Sequence, residues 1–220
     1  MKNFLKFTIL VTLTFSTIVA ASEVPSIKKS SLEKLDRLLS PFEDLTEYAL
    51  KEDFKAMKNG YKKIKSLKES GLLGKSVNND VITQISQDIA SLNNYINIKN
   101  YPEAALQSTK IFKTITNNFV YAKYIRKQIY IENLDGMGFE VLSLLSKKSI
   151  DYIQIQSIIN KSQKSWISLR ESLKDENSID SFDLLFKALY HATMKRDSEM
   201  LGILASMDLA LVDIIEKQLH

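Results

Sequence analysis

The residues in this chain best suited to chemistry fall into three small groups. Lys51, Lys55, Lys58, Lys62 and Lys65 recur every three or four positions, so in a helix they share one flank. Such a row of ammonium groups could hold an acidic partner, a lipid surface or a polyanion. The competing reading is a solvated flank whose aliphatic stems cover the edge of the core. Glu52, Asp53 and Glu69 dilute the charge, and no aromatic residue is interleaved on the lysine flank. His191 forms the second group with Met194 at i+3, a His–Met pair of the kind that ligates Cu(I) or haem iron. Lys187 and Lys195 stand one turn to either side and disfavour protonation, so a surface histidine is the alternative.

Carboxylates are the third group. A di-iron bundle needs Glu-x-x-His on two helices. Neither His191 nor His220 has Glu three residues before it, which excludes ferritin-like oxidase chemistry. The chain has no cysteine, so zinc fingers, iron–sulfur clusters, covalent haem and disulfide frameworks are excluded too. There is no Gly-x-Ser-x-Gly, no Gly-rich phosphate loop and no His-Glu-x-x-His. Arg126, Lys127, Arg170 and Gln163 are residue types that a helical chorismate mutase uses, but no matching motif joins them.

The elements that must position these groups are helices throughout. Apolar residues recur at spacings of three and four, and 220 residues contain only 6 Gly and 3 Pro. A first helix is expected from Ser31 to Lys51, broken or kinked near Leu39–Ser40 by Pro41. A second, Asp53 to Ser70, carries the lysine row and stops at Gly71 and Gly74. Asn78 to Asp80 caps a third, with Ile82, Ile85, Ile89, Leu92 and Ile96 on one face. Pro102 opens the next. Helix resumes beyond Asn118, weakened at Gly136 and Gly138, and ends at Lys148. Another covers Ile150 to Leu173, Asp175 to Asp180 is a polar break, and the last pair is Ser181–Lys195 and Asp197–Leu219.

These make about eight helices in four helical hairpins, linked at Glu52–Asp53, Lys99–Asn100, Lys148–Ser149 and Arg196–Asp197. Leu45, Tyr48 and Phe54 recur as Leu92, Tyr95 and Tyr101 at an offset of 47, which hints at a duplication of the first two hairpins. The expected fold is all-α: two packed up-and-down four-helix bundles, residues 22–120 and 121–220, with a short α-solenoid as the alternative.

Residues 1–21 read as a cleavable export signal. Lys2 and Lys6 precede an apolar run, and Val19-Ala20-Ala21 offers small residues for cleavage before Ser22. The expected location is periplasmic or secreted, with no transmembrane span after removal of the signal. Removal takes two of 30 basic residues and none of 26 acidic ones, which leaves a net charge of +2. That balance does not call for nucleic acid. The last helix is apolar nearly all round, from Met200 and Leu201 to Ile214 and Ile215, with Asp208 and Asp213 as interruptions. It is either the central core helix of the second bundle or an interface for a homodimer or an envelope partner. The functional expectation is a non-enzymatic binding or scaffold protein with no cofactor. The alternative is a carrier of haem, copper or an apolar small molecule inside a bundle.

Overall fold

The computed structural model describes the backbone of residues 2–219 and the side chains of residues 25–219. The expected export signal, residues 1–21, and its expected cleavage point lie outside the residues whose side chains are described. Among the described residues 86% are helical and none belongs to a named strand. The helices are α1 (Lys2–Leu50), α2 (Phe54–Glu69), a one-turn α3 (Leu72–Ser76), α4 (Asn79–Asn97), α5 (Tyr101–Asn117), α6 (Arg126–Leu145), α7 (Tyr152–Arg170), α8 (Glu176–Lys195) and α9 (Ser198–Leu219).

Two four-helix bundles result. The first packs α1, α2, α4 and α5 around Leu38, Phe42, Leu45, Met57, Leu92 and Phe112. The second packs α6 to α9 around Met137, Val141, Ile155, Trp166, Phe182 and Leu189. A short 3-10 turn (Ala122–Tyr124) carries the chain across. The bundles meet mainly along α5 and α6, and α1 also touches α6. Lys113 of α5 pairs with Glu140 of α6, and Lys147, just beyond the end of α6, reaches Glu103 of α5 at 2.7 Å.

Three of the four hairpin links are one turn used three times. Glu52, Lys99 and Arg196 adopt left-handed backbone with φ of 55°, 55° and 54°. The next amide, of Asp53, Asn100 or Asp197, donates at 2.9 Å to the carbonyl of Tyr48, Tyr95 or Ala192. This closes the preceding helix in a Schellman-type cap. The positions offset by 47 thus share a turn, with Leu45 and Leu92 both fully buried beside it.

Several boundaries differ from expectation. Pro41 does not break α1, which runs on to Leu50 with Pro25 and Pro41 inside it. Leu38 and Leu39 before the proline and Phe42 and Leu45 after it are all buried in one core, and that packing outweighs one lost backbone hydrogen bond. The polar break lies at Glu171–Asp175 rather than Asp175–Asp180, because Asp175 caps α8 by accepting from the Ser178 amide at 3.0 Å. Gly71 ends α2 at φ 69°, but Gly74 sits inside the unforeseen α3. Gly136 and Gly138 lie inside α6 without interrupting it. A Cβ on Gly138 would lie 2.6 Å from Leu209 Cδ2 and 2.9 Å from Asp208 Oδ2, so this glycine is what lets α9 approach α6.

Candidate functional site

Lys55, Lys58, Lys62 and Lys65 are exposed along α2, whereas Lys51, also exposed, lies before it in the turn that follows α1. Lys51 pairs with Glu47 at 2.8 Å and Lys65 with Glu69 at 3.8 Å, both within one turn. An aromatic does stand against the flank, since Lys58 and Lys99 lie 4.9 and 4.8 Å from the Phe54 ring centroid. The residues that α2 buries are Met57, Gly60 and Ile64, so the lysines serve the helix as its solvated side.

His191 and Met194 are both exposed on α8. The imidazole meets the neighbouring Tyr190 ring edge on at 6.1 Å. Both residues belong instead to a groove between α7 and α8, the least extensively packed neighbours in the second bundle. Trp166 of α7 stacks on Phe182 of α8 at 4.7 Å and 20° and holds the two helices apart. Its indole N–H donates to Asp183 Oδ1 at 2.7 Å, and Arg170 closes on the other oxygen of Asp183 at 3.3 Å. Ile159, Trp166 and Phe186 form a buried floor. One segment of the groove encloses about 610 Å³ and the next about 570 Å³, with Asn160 common to both. Gln163 and Arg170 share this groove, whereas Arg126 and Lys127 lie elsewhere, beside Leu219.

The second constellation was not anticipated from the sequence. Asp36 and Glu43 of α1, Glu132 and Asp135 of α6, and Asp213 and Glu216 of α9 line a cavity of about 120 Å³ where the two bundles join, and no basic side chain lines it. Carboxylate oxygens of Glu43, Glu132 and Asp135 come within 4.8 Å of one another. Gln128 donates to Glu132 at 2.8 Å and to Glu216 at 2.6 Å.

Close like charges in a partly enclosed space favour protons. Burial, then Asp36 and Glu216, pushes Glu43 up to about 7. Burial raises Glu132 well above the ordinary carboxyl range against the opposing Gln128 hydrogen bond. Asp135 is raised by burial and then by Glu43, Asp208, Asp213 and Glu216. Asp208 itself is fully buried, and burial raises it as well, against the opposing backbone hydrogen bond from Gly138. Chemically the cavity can store protons, and Glu43, Glu132 and Asp135 are the oxygen ligands a hard cation would use. The signal in the sequence was the spacing Glu132-x-x-Asp135 and Asp213-x-x-Glu216, each pair on one helix face.

The last helix has two faces. Leu201, Leu204, Ala205, Val212 and Ile215 are buried in the second core, while Met200, Ile203, Met207 and Ile214 are exposed. Leu142 and Leu145 of α6 extend that outer apolar face. No helix among the described residues is long and apolar enough to cross a membrane. Comparison with family models, with curated proteins and with solved structures finds no match to this chain.

Proposed function

We propose that this is an exported, non-enzymatic binding protein that works through helix faces, and that the outer face of α9 receives a second copy of the chain. The observation that carries this reading is the exposed stripe Met200, Ile203, Met207 and Ile214, whose spacing of three, four and seven is that of a coiled-coil seam. Leaving large apolar side chains in water along one line costs free energy that self-association recovers. Antiparallel pairing about Met207 sets Met200 level with Ile214 and Asp197 level with Lys217, so each end gains an opposite-charge pair. Export rests on the basic and apolar pattern of residues 1–21.

Sedimentation of the purified chain tests the proposal. A concentration-dependent dimer is expected, converted to monomer by Ile203→Glu with Met207→Glu while helical content stays constant. A monomer throughout, or a dimer indifferent to both substitutions, overturns it. A heteromeric complex with an envelope protein, lost on the same substitutions, would replace the second copy with that partner. N-terminal sequencing of protein recovered from the cell envelope should begin at Ser22.

A further inference from the structure

The groove between α7 and α8 has the form of a bundle with one helix missing. Its α7 wall is Ile153, Gln156, Asn160, Gln163, Ile167 and Arg170, spaced three and four alternately, and the α8 wall offers Asp183, Lys187, Tyr190 and Met194 at matching spacing. Two walls with this periodicity present ridges into which a third helix fits. The α7 wall is about 26 Å long at 1.5 Å per residue, which suits an extended helical segment better than a small molecule. Large apolar side chains on both rims stand in water: Ile153 is 85% exposed, Ile167 56%, Tyr190 49% and Met194 65%.

The charge of the groove selects the occupant. Lys161, Lys164, Arg170, Lys187 and Arg196 line it against Glu171 and Asp183. Asp183 is already held by Trp166 and Arg170, whereas Lys161, Lys164, Lys187 and Arg196 form no ion pair among the described residues. On the α7 wall, Gln156 Oε1 is buried without a hydrogen-bond partner, although its Nε2 donates to Asn160 at 3.1 Å. A donor from a ligand would satisfy it. We infer that the α7–α8 groove docks an acidic amphipathic helix of another protein, its apolar side on Ile153, Ile167, Tyr190 and Met194 and its carboxylates on the lysine rims.

Trp166 is the only tryptophan in the chain and lies in the groove floor, so its emission reports occupancy. The probe is a tryptophan-free synthetic peptide of three heptads with Leu and Ile on one face and Glu on its flanks, labelled for anisotropy, beside a counterpart with Lys on its flanks. The Glu peptide should bind the full chain, change Trp166 emission in step with anisotropy, and weaken as salt rises. Lys164→Glu with Lys187→Glu changes two exposed side chains and should weaken it about tenfold or more without altering the circular dichroism. The inference is overturned if the Glu peptide does not bind, if the Lys peptide binds equally well, or if the double variant binds like the parent. Binding that leaves Trp166 emission unchanged also overturns it, because the peptide then sits elsewhere. So does a dimer that breaks on Lys164→Glu with Lys187→Glu, since the groove would then belong to a second copy.

Discussion

In the groove between α7 and α8 the charged groups are mostly lysine and arginine heads on an open rim, each with water on one side. In the cavity between α1, α6 and α9 they are six carboxylates facing one small, partly enclosed space, with Asp36 and Asp213 at its exposed edge. Both regions are built from amphipathic helices joined by short links. They differ in how closely the helices approach. A stacked indole and phenyl pair separates α7 from α8, whereas Gly138 draws α9 onto α6. Where helices stand apart, like charges are screened by solvent and cost little. Where they close, the same density of like charge is relieved by taking up protons.

Five substitutions and one pH titration test this contrast. Trp166→Ala should have the largest effect, removing the spacer of the groove and the N–H that holds Asp183. A loss of about 3–5 kcal/mol is expected in urea unfolding followed by circular dichroism. Gly138→Ala tests the closed region, because the added methyl meets Leu209 and Asp208. Overpacking there should cost about 1–3 kcal/mol in the same assay.

The pH dependence comes next. Glu43 is raised from 4.5 to about 7 on folding, so the folded state holds its proton more tightly than the unfolded chain does. Its favourable contribution is complete below pH 4.5 and is lost as pH rises through about 7. Thermal unfolding should therefore show stability falling between those limits, by on the order of 1–2 kcal/mol for this one half-buried group. Glu132 and Asp135 act in the same direction. Glu43→Gln should flatten the profile and raise the melting temperature above neutral pH. A profile that rises across this window would show that the cavity does not hold protons. The smallest effect is expected at the lysine row. Lys51→Ala and Lys65→Ala each remove an exposed pair within one turn and should change stability by less than about 0.5 kcal/mol.

Much of the framework was readable before the structure. Three- and four-residue spacing marked the helices, and polar dipeptides marked the hairpin links, because both report interactions within a few residues of one another. Asn78–Asp80 and Pro102 stand at helix starts as expected. Failures came where contacts distant in the chain decided. Pro41 carries a local rule for breaking helices, overridden by Leu38, Leu39 and Phe42 in one core. Gly138 carries a local penalty that becomes an advantage once Leu209 lies against it. In α9, apolar residues on every side could not tell which face turns inward, and it is the packing that leaves Met200 and Met207 exposed.

The two constellations divide along the same line. Glu132 and Asp135 could be assigned to one face of a helix from spacing alone, as could Asp213 and Glu216. That these faces turn toward Glu43, some ninety residues or more away in the chain, follows only from how α1, α6 and α9 pack. By itself the sequence determined a cysteine-free, all-helical chain of paired amphipathic helices, since backbone hydrogen bonds and side-chain stripes repeat every turn. The tertiary structure decided which helices separate into a basic groove and which close over an acidic cavity. That choice depends on the shapes of facing side chains, an indole in one place and a bare Cα in the other, and it has no periodicity to read.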